Sequence, residues 1–110
     1  MPYTGSVFAF VEAPVFTRLV YQYLSEDEYV KLQLALIENP EAGDLIPGSG
    51  GVRKLRWALR SRGKRGDLRV IYYVRTRAGV IWMLTVYSKN VADKIPGHIL
   101  RKIREEMEDV

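Results

Sequence analysis

The stretch from Arg53 to Val74 alternates in a way that suits extended chain. Leu55, Trp57 and Leu59 occupy every second position, with Lys54, Arg56 and Arg60 at the others. Side chains of a strand point to opposite faces in turn, so the cations share one face and the apolar groups the other. Beyond the basic segment RSRGKRGD, residues Leu68, Val70, Tyr72 and Val74 again take one side, and Arg69, Ile71 and Tyr73 the other. Two such runs joined by a glycine-containing tip predict a hairpin with its charge organised onto one face.

The rest of the chain supplies what that hairpin packs against. VFAFVE, Val7 to Glu12, is short, apolar and bounded by Gly5 and Pro14, which predicts a first strand. From Pro14 to Leu24, Val15, Leu19, Val20 and Tyr23 fall at helical spacing. Ser25 is placed to cap a second helix, with Glu26, Asp27 and Glu28 in its first turn, where the helix dipole favours acids. Tyr29, Leu32 and Leu36 form its apolar stripe, and Pro40 ends it. EAGDLIPGSGG reads as a loop by its glycine and proline content. After a turn at Ala78-Gly79, VIWMLTVYSK is apolar nearly throughout, as in a central strand covered on both sides, and Thr85, Tyr87 and Lys89 share a face. A last helix runs from about Pro96 to Met107 with Ile99, Leu100 and Ile103 turned inward. The order is β-α-α-β-β-β-α, an α+β fold with a mainly antiparallel sheet, two N-terminal helices on one face and a C-terminal helix. Trp57 and Trp82 alternate with apolar neighbours and are expected in the core.

At 110 residues, 47% of them hydrophobic, residues 1–110 make one domain with a core of its own. Without cysteine, disulfides and thiolate metal sites are excluded. The first residues lack a basic segment and are interrupted by Glu12 and Pro14, so neither a signal peptide nor a spanning helix is expected, and the chain reads as cytoplasmic with no membrane partner. Net charge is only +4, but its distribution is uneven. Arg53 to Arg77 holds ten bases and one acid, whereas Glu26 to Asp44 holds six acids and one lysine. Such segregation creates a local field that attracts polyanions.

The charged face therefore suits a phosphate backbone. Lys54, Arg56 and Arg69 would contact it, with Arg53 and the tip residues Arg60, Arg62, Lys64 and Arg65 extending the surface. Tyr73 and Tyr87 are placed by alternation to stack on an unpaired base, although each could equally be a core aromatic. Cleavage of RNA at the 2′-hydroxyl needs a base, cations to stabilise the phosphorane and an acid for the leaving oxygen. His98 is the single histidine and reads as a surface residue. A crowded cationic cluster can lower a lysine pKa, so Lys54 or Lys89 are candidates for the base. No cluster has metal-ligand spacing, no nucleophile motif is present, and GSGG at 48–51 precedes a strand and lacks the lysine of a P-loop.

The run GGVRKLR, then RGKRGDLRVIYY, then LTVYSKN resembles the RelE/HigB toxins of type II toxin-antitoxin systems, particularly the HigB branch. The resemblance spans the chain from the strand at Val7 to the last helix. It implies the RelE-like fold and a ribosome-dependent mRNA endoribonuclease that needs no metal or other cofactor. Such an enzyme cuts in the A site of the 30S subunit by 2′-hydroxyl attack and leaves a 2′,3′-cyclic phosphate. It further implies a cognate HigA-like antitoxin with a helix-turn-helix domain, through which alone the toxin meets operator DNA. By position, Lys54 and Arg56 match the family's basic pair, Arg69 its phosphate-binding arginine, and Lys89 the basic segment after the last strand. RelE itself carries a tyrosine near the start of its last helix. VADKIPGHI has no aromatic there, which leaves Tyr87 or Tyr73 to substitute. Two alternatives stand beside this reading, a ParE-like toxin that poisons gyrase and a non-catalytic RNA- or ribosome-binding protein.

Overall fold

The computed structural model describes residues 8–58, 67–89 and 95–108. These form β1 (Ala9–Glu12), α1 (Pro14–Tyr23), α2 (Glu26–Glu38), β2 (Asp44–Leu45), β3 (Arg53–Ala58), β4 (Asp67–Arg75), β5 (Val80–Ser88) and α3 (Gly97–Glu108). The strands make one five-stranded sheet in the order β1-β5-β4-β3-β2. Three of its pairings are antiparallel, and β1 joins β5 in parallel. The expected α+β architecture is present with two additions. The chain read as a loop after Pro40 contains β2, and the sheet is mixed because β5 returns alongside β1, at the edge farthest from β2.

Local signals account for the helices. Pro14 stands in the first turn of α1, where its missing N–H costs nothing. In α2 the Ser25 hydroxyl accepts from the Glu28 amide, and the Glu28 carboxylate accepts from the Ser25 amide at 2.7 Å, a reciprocal cap. The stripe Tyr29, Leu32 and Leu36 is buried as its spacing predicts. In α1 the buried pair is Phe16 and Val20, so the helix is rotated from the face that Val15 suggests.

The sheet is covered on both sides. Phe16, Val20, Leu32 and Leu36 pack on Leu68, Val70, Tyr72, Ile81, Met83 and Val86, with Trp57 half-buried against them. On the other side, Leu100 of α3 packs with Val52, Ile71, Leu84 and Tyr87, and Trp82 is half-buried there. Ile99, expected to point inward, is 41% exposed, and Arg104 is buried instead. Its guanidinium lies 4.6 Å from the centre of the Tyr73 ring, and both it and Arg75 bond to Glu108, which fastens the end of α3 to β4.

A slip in register sets which residues face α3. Ile71 pairs with Thr85 but Tyr72 pairs with Met83, so Leu84 is an extra residue on β5, a β-bulge. Before it, even-numbered β5 residues face α3. After it, odd-numbered ones do, and Tyr87 with them.

Tyr72 ties the chain before β2 to the sheet. Its hydroxyl donates to the Pro40 carbonyl at 2.6 Å and accepts from the Gly43 amide at 2.9 Å. Burial raises its pKa above the ordinary tyrosine value. The contribution is therefore complete below about pH 10 and is lost as pH rises beyond it, because the unfolded phenol ionises first. Tyr72→Phe orphans two backbone groups and is expected to cost about 1 to 3 kcal/mol in urea unfolding at neutral pH. An unchanged midpoint would show that this hydroxyl does not hold β2 in place.

Candidate nucleic-acid interface

Cross-strand register gathers the basic residues that alternation places on one face. Arg56 of β3 pairs with Arg69 of β4, and Arg69 pairs with Tyr87 of β5. These three make a row across adjacent strands on the side of the sheet that carries α3. One step along, Lys54 pairs with Ile71, and Ile71 with Thr85. Directly opposed residues lie about 5 Å apart at Cβ. Two guanidinium groups that close can donate to one anion together, so the Arg56–Arg69 pair is suited to a phosphate group.

Beside this row is a cavity of about 540 Å³. Its lining includes the polar residues Lys54, Arg56, Tyr87 and Asp44 and the apolar residues Leu45, Ile46, Pro47, Ile95, Pro96 and Leu100. Two devices shape the wall. In the β2–β3 turn, buried Ser49 donates to the Ile46 carbonyl at 2.6 Å and accepts from the Val52 amide at 3.0 Å, and Gly48, Gly50 and Gly51 all have positive φ. That turn is the structural use of the GSGG sequence. At the start of α3, a Cβ on Gly97 would lie 2.1 Å from the Pro47 carbonyl oxygen, so only glycine lets the helix approach this closely.

The sequence-derived site residues divide clearly. Lys54, Arg56, Arg69 and Tyr87 come together, with Arg56 exposed, Lys54 and Arg69 half-buried and Tyr87 6% exposed. Lys89 follows β5 in a turn, is exposed and does not line the cavity. Arg53 is not part of this face. Its partner Tyr72 belongs to the α1/α2 side, and its guanidinium donates to the carbonyls of Glu41 and Gly43, at 3.2 and 2.7 Å. It anchors the chain entering β2. Tyr73 lies beneath α3, with Arg104 over its ring and Trp82 at 5.6 Å, so stacking on a base would require displacing the helix. The core alternative describes both tyrosines: Tyr73 is covered by α3, and Tyr87 is buried with Val52, Ile71, Leu84 and Leu100 while also lining the cavity. Arg60, Arg62, Lys64 and Arg65 lie outside the described residues. His98 is exposed in the first turn of α3.

Asp44 is a cavity-lining residue that the sequence does not single out. It stands across from Lys54 and on the same face. A two-residue strand is too short for periodicity to signal, and Asp44 merges with the acidic segment before it. Among the described residues no group of three or more His, Cys, Asp or Glu could hold a metal ion, and no helix is long and apolar enough to cross a membrane.

No protein-family model matches the chain. Solved structures do resemble it. A chain of the intact E. coli RelBE toxin-antitoxin complex is 19% identical with a TM-score of 0.51, over 73% of this chain and 94% of that one. The free state of an E. coli RelE variant with two arginines changed to alanine is 16% identical with a TM-score of 0.51, over 94% and 96%. A chain of the archaeal RelE-RelB complex from Pyrococcus horikoshii OT3 is 19% identical with a TM-score of 0.52, over 78% and 99%. At these identities the likeness is one of fold, and the fold is RelE-like.

Gly97→Ala drives a methyl group into the Pro47 carbonyl. The expected cost is about 1 to 3 kcal/mol in denaturant unfolding, from the shift of α3 away from the β2–β3 turn. Wild-type stability with unchanged chemical shifts at Pro47 and Leu100 would contradict the close contact.

Proposed function

We propose that this chain is the toxin of a toxin-antitoxin pair, of HigB type within the RelE-like fold, and that it cleaves messenger RNA in the ribosomal A site. The observation that carries the reading is the row Arg56–Arg69–Tyr87 with Lys54 beside it, set over a cavity large enough for a nucleotide. Attack by a 2′-hydroxyl on the adjacent phosphate adds negative charge to the phosphorane. Two guanidinium groups from neighbouring strands and one ammonium are placed to stabilise it. The chemistry requires no metal or organic cofactor. Tyr87, at the end of the row, borders the same space. Lys89 and the tip residues Arg60, Arg62, Lys64 and Arg65 belong to the docking surface for ribosomal RNA, to which cations add affinity without sequence preference.

The partner that silences the toxin in this reading is a HigA-like helix-turn-helix antitoxin, which alone would contact operator DNA. The chain would act in the cytoplasm, where its ribosome target is. A gyrase poison or a pure binding module of the same fold has no need of two cations lining one cavity with a third on the adjacent strand.

Primer extension on a reporter transcript after brief induction tests the proposal. Wild type should give discrete cuts within translated codons. In Arg69→Ala they should fall by about 100-fold or more, the size of loss seen when one transition-state donor is removed. Arg56→Ala, at an exposed position, gives the same readout with less risk to folding. Growth arrest with an intact transcript would overturn the nuclease in favour of the ParE-like toxin or the non-catalytic ribosome-binding protein. Separately, neutralising Arg62, Lys64 and Arg65 should flatten the salt dependence of ribosome binding. The log-log slope should fall by about 0.7 to 0.9 for each phosphate that no longer meets a cation. An unchanged slope would take the tip out of the interface.

A further inference from the structure

The cavity beside the arginine row contains a group of the opposite sign. Asp44 lines it together with Lys54, Arg56 and Tyr87, and among the described lining residues it is the one carboxylate. It is directly across from Lys54. A carboxylate in a cavity whose other charges suit phosphate repels that phosphate, but besides pairing with Lys54 across the strands it can accept a hydrogen bond from a neutral donor of the ligand. Beside the scissile phosphate of RNA, the neutral donor is the 2′-hydroxyl. Lysine and arginine ordinarily carry their protons at neutral pH and so does a phenol, whereas an aspartate is ordinarily ionised and able to accept one.

We infer that Asp44 is the general base of the cleavage, an inference that rests on the nuclease reading. The Asp44 carboxylate takes the proton of the 2′-hydroxyl as O2′ forms its bond to phosphorus. The P–O5′ bond breaks, its electron pair leaves with O5′, and O5′ takes a proton from the Lys54 ammonium. The products are a 2′,3′-cyclic phosphate and a 5′-hydroxyl. Asp44 is left as a neutral carboxyl beside a neutral Lys54 amine, and transfer of one proton between these cross-strand neighbours restores both.

The placement suits this division of work. Adjacent strands lie about 4.8 Å apart, and residues two apart on a strand about 6.6 Å. Asp44, Lys54 and Arg56 therefore stand, by backbone spacing, within the span of one ribose-phosphate unit, with Arg69 in the next strand. Asp44 is an exposed residue whose backbone is held in place. Its neighbour Gly43 is hydrogen-bonded to the Tyr72 hydroxyl and so close to Lys54 that a Cβ would meet the Lys54 carbonyl at 3.0 Å.

The test is single-turnover cleavage by the full chain, at saturating concentration, on ribosomes programmed with mRNA. It uses two transcripts, one natural and one with a 5′-bridging sulfur at the cut site, since sulfur leaves without needing a proton. Asp44→Asn should lose about 100-fold or more on both transcripts, the span of a general base, and Asp44→Glu should regain part of the loss. Lys54→Ala should be slow on the natural transcript and largely restored on the sulfur one. Wild-type cleavage by Asp44→Asn overturns the inference and leaves the nuclease reading standing. So does rescue of Asp44→Asn by sulfur, which would make Asp44 an aid to the leaving group. Absence of cleavage by the wild type on either transcript removes the nuclease reading, and the assignment of Asp44 with it.

Discussion

The β4–β5 pairing and its bulge are what the rest of the molecule depends on. These two strands are buried from both sides, so each alternate residue is committed either to α1 and α2 or to α3. A slip of one residue along a strand exchanges the faces. The extra residue Leu84 makes one such exchange within β5, and it turns Tyr87 to the α3 side, in line with Arg69 and Arg56. Without it, strict alternation from Trp82 would place Tyr87 among the residues beneath α1. The apolar core and the charged row are thus set by the same backbone irregularity.

Charge is then sorted by use. Arg53 is drawn to the backbone carbonyls of the chain before β2, and Arg75 and Arg104 converge on Glu108. These cations hold structure together: the first fixes the approach to β2, the others fix the far end of α3. Lys54 and Arg56 are on the cavity side, where the surrounding wall is largely apolar and a bound anion would be less screened than on open surface. A sequence rich in arginine on both sides of a hairpin can therefore serve two purposes, and the face each residue occupies decides which.

Much of this is legible in the residues themselves. The capping box at Ser25 and Glu28, the stripe of α2, and the alternation of β3 and β4 are local signals, and the structure follows them. Three features are not legible. β2 is two residues long and has no period. The parallel joining of β1 to β5 is a contact between distant segments that leaves no local mark. The bulge falls inside the apolar run from Val80 to Tyr87, where residues of either face look alike, so a break in alternation is invisible. The helix faces are hard to read for related reasons. Val15 and Phe16 are both apolar, and in α3 it is Arg104 that is buried while Ile99 is exposed. A long side chain that buries its stem and lays its guanidinium on Tyr73 takes the place of an apolar residue. At the site, Lys54, Arg56 and Arg69 follow from alternation alone. Arg53 is adjacent to them in sequence but sits on the opposite face, as the same alternation requires. Tyr73 does lie on the α3 side, yet alternation assigns a face without saying which element covers it, and here α3 does.

RNA, in this reading, is held on the α3 side of β3, β4 and β5. The most direct measurement is a cryo-electron-microscopy structure of the full chain on a ribosome whose A-site codon is 2′-O-methylated and so cannot be cut. The blocked phosphate should lie between Arg56 and Arg69, with the adjoining nucleotide in the cavity bounded by Lys54, Pro96 and Leu100. RNA bound instead along α1 and α2, or a chain docked with that cavity facing away from the codon, would contradict it.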